Sequence, residues 1–169
     1  MLTRRGFLIA AGGAGAAAAL VTMRATRAVG GSGPDAELQF AVVHTDEEWR
    51  ARLSPAQYQV LRHEGTERPF SSALDYETRA GVYSCAGCAL PLFSSRTKYD
   101  SGTGWPSFWA PLDNAVATRR DATLGMVRTE VHCVRCGGHL GHVFDDGPPP
   151  THLRYCMNGL ALTFKPGTA

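Results

Sequence analysis

The chain has 169 residues, enough for one domain with a real core and too few for two. Its 44% hydrophobic and 19% charged residues are those of an ordinary globular protein. Arg4, Arg5, Arg24 and Arg27 all lie in residues 1–28; without that segment 17 basic residues become 13 against 15 acidic ones, and a net charge of −2 leaves no basic patch to argue for nucleic acid.

Residues 1–28 read as an export signal: a basic start, an apolar run from Phe7 to Val21, and Ala28 at a cleavage point. The twin Arg4-Arg5 before Gly6-Phe7-Leu8 has the form of a Tat signal, so a periplasmic or other extracytoplasmic location is expected, with a membrane anchor if the leader stays uncleaved. Residues 29–36 read as a flexible linker, and residues 37–169 as the functional domain. In "HTDEEWRARL", Thr45 is an N-cap with Glu48 three residues on. In "LSPAQYQVLRHEG", Ser54 caps, Pro55 opens the helix, Gln57 completes the capping box and Gly65 ends it. Leu53, Tyr58, Val60 and Leu61 would face the core. After Gly81, short apolar runs alternate with Gly, Pro, Ser and Asp turns: "GVYSC", "LPLFSS", "MVRTEVHC", "HLGHVFDDG" and "RYCMNGLALTFKP". That texture predicts an antiparallel β domain.

Two C-x-x-C units, Cys85/Cys88 and Cys133/Cys136, have the spacing of a tetrahedral zinc site, each tight turn offering two thiolates. Four thiolates close the coordination sphere, so the ion would be structural. The competing reading is a pair of disulfides formed after export. Each would close only a tiny loop, and C-x-x-C disulfides are usually redox-active rather than structural.

Cys156 has no partner. Alone, a cysteine in a strand is a small buried hydrophobe. Here Arg154 and Asn158 stand at i−2 and i+2, on the same face of an extended strand, where a cation and a donor could support a thiolate. His139 and His142 supply candidate acid–base groups; zinc ligation by them would be redundant beside four thiolates.

"YDSGTGWPSFWAPL", "EVHCVRCGGHLGHVFDDGPPPTHLRYCMNGLAL" and "LRHEGTERPFSS" together resemble the methionine-R-sulfoxide reductase B family, over residues 40 to 165 or so. The resemblance implies a mainly β fold of two antiparallel sheets, a β-tent, with short N-terminal helices and a zinc site of four cysteines. It implies that Cys156 is the nucleophile, that His142 serves the sulfoxide oxygen with His139 as its companion, and that Asn158 and Arg154 orient the site. It places Trp105 against the substrate methyl, while Phe108 and Phe144 either line the same pocket or belong to the core. The implied reaction converts methionine (R)-sulfoxide, free or in proteins, to methionine through a sulfenic acid on Cys156. A thioredoxin-like protein or a small thiol is the expected reductant, and a monomer the expected state.

One departure matters. Many family members read S-G-C-G-W, with a resolving cysteine two residues before the tryptophan; this chain reads Ser101-Gly102-Thr103-Gly104-Trp105. Cys156 is therefore expected to work alone. Gly137-Gly138 and Gly159 are smaller departures. Two other classes compete with the reductase: a zinc-binding module that recognises an oxidised ligand, and a thiol peroxidase or disulfide exchanger. The module would need no reactive thiol, and the Trp105 and His142 motifs argue against the peroxidase or exchanger.

Overall fold

A computed structural model describes residues 39–168; the expected leader and the whole of the expected linker lie outside them. Among the described residues two short helices come first, α1 (Asp46–Arg52) and α2 (Pro55–His63). Thr45 with Glu48, and Ser54 with Gln57, form complete capping boxes, so each helix start satisfies two otherwise orphaned donors. The end of α2 differs from expectation. Glu64, not Gly65, takes the left-handed position, with φ 55. The Gly65 amide then reaches back to the Gln59 carbonyl at 3.0 Å. Tyr58, Val60 and Leu61 are buried, as is Leu53.

Nine strands follow: β1 (Gly81–Cys85), β2 (Pro91–Ser94), β3 (Lys98–Tyr99), β4 (Ser107–Phe108), β5 (Val116–Asp121), β6 (Arg128–Cys133), β7 (His139–Phe144), β8 (Arg154–Met157) and β9 (Leu162–Pro166). They form two antiparallel sheets, one in the order β2-β1-β9 and the other β3-β4-β8-β7-β6-β5. The run "RYCMNGLALTFKP" is two strands in different sheets: a 3-10 turn at Gly159–Ala161 carries the chain from one to the other. β5 has no apolar alternation, because Thr118, Arg119 and Arg120 are exposed along an edge strand where charge discourages further pairing.

The sheets meet over an aromatic core. Phe93 of the small sheet stacks on Phe108 of the large one, centroids 4.4 Å apart, and Tyr83 meets Phe108 edge-on at 5.0 Å. Phe108 is fully buried there, so its apolar ring serves the core and lines no substrate pocket. Val131, Leu140 and Met157 extend the core beneath β6, β7 and β8. Arg62 of α2 covers Trp49 at 4.8 Å and donates to the Cys136 carbonyl at 3.0 Å, fastening the helices to one cysteine turn.

Candidate active site and metal centre

The two C-x-x-C turns are built alike. The Cys85 amide donates to Leu90 O (2.8 Å) and the Ala89 amide to Cys85 O (2.8 Å). The same pair recurs from Cys133 to Gly138 and from Gly137 to Cys133, both 2.9 Å. The residue after each second cysteine is left-handed: Ala89 at φ 57 and Gly137 at φ 68. Gly137 also has no room for a Cβ, which would meet the Phe40 ring at 2.4 Å; this accounts for one departure from the family pattern.

The four sulfurs lie within 4.8 Å of one another. The short approaches run between turns, Cys85–Cys136 at 3.7 Å and Cys88–Cys133 at 3.5 Å, and no disulfide links the described cysteines. Four sulfurs at ~2.3 Å from one tetrahedral ion would lie about 3.8 Å apart, so the donor set and spacing fit a metal ion. Cys85 ends a strand of the small sheet and Cys133 a strand of the large one, so an ion here ties the sheets together.

Cys156 sits on β8 between two neighbours: His142 of β7 is directly opposite on one side and Ser107 of β4 on the other. Directly opposed residues share a face, so β register alone sets thiol, imidazole and hydroxyl side by side. Hydroxyls continue the row: Ser107 Oγ to Ser101 Oγ 2.8 Å, Ser101 Oγ to Thr103 Oγ1 2.8 Å, and Thr103 Oγ1 to Cys156 Sγ 4.0 Å. Thr103 thus occupies the place from which a second cysteine would reach Cys156.

His139 and His142 are three residues apart, which in a regular strand puts them on opposite faces. β7 is not regular. Val131 pairs Gly141 and His132 pairs His139, so Leu140 is one residue too many. The bulge reverses the alternation and brings both rings together, centroids 5.4 Å apart. The Leu140 carbonyl accepts from the Asn158 amide (2.8 Å) and from Asn158 Nδ2 (3.1 Å). Asn158 Oδ1 accepts from the Glu67 amide at 2.9 Å, and Glu67 O accepts from the Trp105 indole at 3.2 Å. The Glu67 carboxylate takes the Gly159 and Leu160 amides at 2.6 and 2.9 Å. One buried chain therefore joins the histidine strand, the cysteine strand and the tryptophan. A Cβ on Gly159 would meet Ser72 Oγ at 1.9 Å, which explains the glycine after Asn158.

Each histidine leans on a carboxylate. His142 Nε2 is 2.8 Å from Asp121 Oδ2, and Asp121 is also held by Arg128 at 2.7 Å. His139 Nδ1 is 2.7 Å from Glu130 Oε1, and Glu130 in turn pairs with Arg119. Bonds from Thr123, then from His142, hold the Asp121 carboxyl well below the ordinary range. Burial alone would raise Glu130, but His139 and Arg119 outweigh it and the group ends below its usual value. Burial pulls His142 down more than Asp121 pulls it up. These carboxylates and arginines are absent from the sequence reading. Their only signal is the charge run in "TRRD" and the alternating charge in "VRTEV", which a solvated edge also shows.

Cys156, Trp105, Phe144, His142 and Arg128 line a cleft of about 130 Å³, with Thr66, Gly141 and Asn158. At ~30 Å³ per water this holds a short side chain rather than a cofactor. His139 lies behind His142, off the cleft wall. Arg154 also stays off it: its guanidinium covers the Phe144 ring at 4.4 Å and grips Asp146 through two 2.8 Å bonds. The expected depression of the thiol by Arg154 is outweighed. Burial pushes Cys156 above its ordinary value, against the pull of Arg154 and Thr103.

The SelR domain family matches residues 53–166. "Peptide methionine sulfoxide reductase MsrB" of Pseudomonas putida (strain W619) is 62% identical over 123 residues, 72% of this chain and 92% of the relative. The protein of the same name from Agrobacterium fabrum is 56% identical over 123 residues, covering 72% and 91%. That from Bradyrhizobium diazoefficiens is 53% identical over 137 residues, covering 79% and 99%.

Proposed function

We propose a one-cysteine mechanism for this chain, which belongs to the methionine-R-sulfoxide reductase B family and reduces methionine (R)-sulfoxide with thiols. The observation that carries the mechanism is the register: Cys156 and His142 face each other across β7 and β8 at the floor of a cleft walled by Trp105 and Phe144. The substrate methyl packs on the Trp105 ring. The Cys156 thiolate attacks the sulfoxide sulfur while His142 delivers a proton to the oxygen. The attack forms an S–S bond; the protonated oxygen then moves to the Cys156 sulfur as the substrate's S–O bond and that S–S bond break, so methionine leaves with the electron pair and Cys156 is left as a sulfenic acid. Two equivalents of external thiol then return Cys156–SH, with water and a disulfide as products.

The carboxylates set which protons are available. Ionised Asp121 accepts from His142 Nε2, so the other ring nitrogen carries a proton only when the ring is cationic. The reactive pair is then imidazolium and thiolate, which has the same proton count as neutral imidazole and thiol. Asn158 and Glu67 hold Trp105 and the bulge in place, and His139 with Glu130 buttresses His142.

Zinc suits the four thiolates of Cys85, Cys88, Cys133 and Cys136; it would fasten the sheets and leave no open position for chemistry. Export through the Tat route fits this assignment, since folding before export places the thiolates on the metal before they meet oxidants. The reductant is a thioredoxin-like protein or a small thiol, because Thr103 cannot form a disulfide.

A single-turnover assay on reduced protein, with separated R and S epimers and no added reductant, tests this reading. One methionine per chain from the R epimer is expected, with Cys156 as sulfenic acid and the metal retained. A new disulfide with metal loss would instead make a metal-site cysteine the resolver. No methionine from either epimer would favour a binding module.

A further inference from the structure

A second cleft, of about 460 Å³, is lined by Phe70, whose amide donates to the carbonyl of Gly104, the residue before Trp105. Two chain segments line both clefts. Thr66 and Trp105 face the reaction cleft; four residues after Thr66 stands Phe70, and three before Trp105 stands Gly102, both on the second cleft. Gly102 and Trp105 are three residues apart, so at up to ~3.6 Å per residue their backbones lie within about 11 Å, the reach of three residues of a bound polypeptide.

The second cleft has the chemistry of a cation site. Asp75, Glu77 and Asp100 line it. Glu77 is occupied by Arg79, at 2.6 Å. Asp75 and Asp100 make no ion pair among the described residues. The one ammonium on the wall, Lys98, is tethered to the Asp75 backbone carbonyl at 2.7 Å. Two aromatic rings stand over the cleft with little cover, Phe70 at 58% and Tyr76 at 65% exposure. The Phe70 amide donates a hydrogen bond to Gly104 O at 2.7 Å with φ at 62, which holds its backbone at the edge of the cleft. Lys98 and Arg79 offset only part of the charge of three carboxylates, and the remaining negative charge beside exposed aromatic faces suits the charged head and apolar stem of a long basic side chain.

We propose that this second cleft seats a lysine or arginine of the polypeptide carrying the methionine sulfoxide, within about three residues of it. The inference rests on the reductase reading and adds a preference for sequence context. Free methionine sulfoxide cannot use the cleft.

The test uses peptides with one central methionine (R)-sulfoxide and lysine or glutamate placed singly at one, two, three or six residues to either side, with dithiothreitol as reductant. Lysine two or three residues away on one side should raise kcat/KM over glutamate by roughly fivefold, the size of one partly screened ion pair, and high salt should shrink the gain. Lysine six residues away should give no gain. Asp75→Asn with Asp100→Asn should abolish the gain and leave turnover of free methionine (R)-sulfoxide unchanged. Asn keeps the acceptor that Asp100 offers the Gly102 amide at 2.9 Å, which protects the loop. Equal rates for lysine and glutamate peptides, or a gain that survives the double variant, would overturn the proposal. Fluorescence anisotropy of the same labelled peptides with unoxidised methionine reads the cleft without catalysis. Lysine-dependent binding lost in the double variant supports the site even if turnover fails, and such a failure would count against the reductase reading alone.

Discussion

Gly141→Ala puts the register between His142 and Cys156 under direct strain. A Cβ at position 141 would lie 2.1 Å from the Cys156 carbonyl oxygen and 3.0 Å from Met157 Cα. Ordinary contact begins near 3.4 Å, so β7 and β8 must separate by about 1.3 Å where imidazole and thiol face each other. Overpacking of this kind costs about 1–3 kcal/mol of stability, out of the roughly 5–15 kcal/mol of an ordinary domain. Most molecules therefore stay folded, and a large loss of turnover has to be positional. A displacement near 1 Å costs about a hundredfold in rate. The expected result is kcat/KM for free methionine (R)-sulfoxide down about a hundredfold, with metal content and cooperative unfolding retained. Gly87→Ala is the control: its Cβ would meet the nearest atoms at 3.5–3.7 Å, an ordinary contact, and activity should hold. A Gly141→Ala enzyme within about threefold of the parent would show that the thiol–imidazole spacing is not what limits the rate.

The pH profile follows from two opposed shifts. Imidazolium–thiolate and imidazole–thiol hold the same number of protons, so kcat/KM should be flat between the two titrations, with an acid limb below pH 6.5 and an alkaline limb above pH 9. Arg154 draws the thiol down, so Arg154→Gln should move the alkaline limb to higher pH; an unmoved limb would remove Arg154 from the electrostatics of Cys156. Asn158→Ala strands the Glu67 amide without its acceptor and withdraws one of two donors from the Leu140 carbonyl; about 1–3 kcal/mol should be lost, measured by denaturant titration, together with most activity. Stripping the metal with a chelator should lower the thermal midpoint by roughly 10 °C or more, and an unchanged midpoint in metal-free protein would dismiss the four-cysteine site as a structural tie.

Helix starts were legible because capping is local: Thr45, Glu48, Ser54 and Gln57 act within one turn. The cysteine pairs were legible because ligand spacing is a backbone property of two short turns. The division of "RYCMNGLALTFKP" between sheets was not, since a 3-10 turn between apolar strands leaves no break in the hydrophobic pattern. Glu67 was hidden for a different reason. Its carboxylate meets amides more than ninety residues away, and nothing beside it in the chain marks an acid as buried. Asp121 and Glu130 look like edge charges until β5, β6 and β7 are set in register, and only then does each face an imidazole. Phe108 shows a further limit: beside a tryptophan motif an aromatic reads equally as pocket or as core, and only the opposing sheet places it in the core.

The bulge at Leu140 makes strand parity a hereditary constraint. A chain that shortened β7 by one residue at this point would regain an unbroken ladder and would still display two histidines near the cysteine strand in any alignment. One imidazole, however, would have crossed to the other side of the sheet, away from its carboxylate. Insertions and deletions near such a site are therefore not interchangeable with substitutions: the count of residues between His139 and His142 carries information that their identities do not.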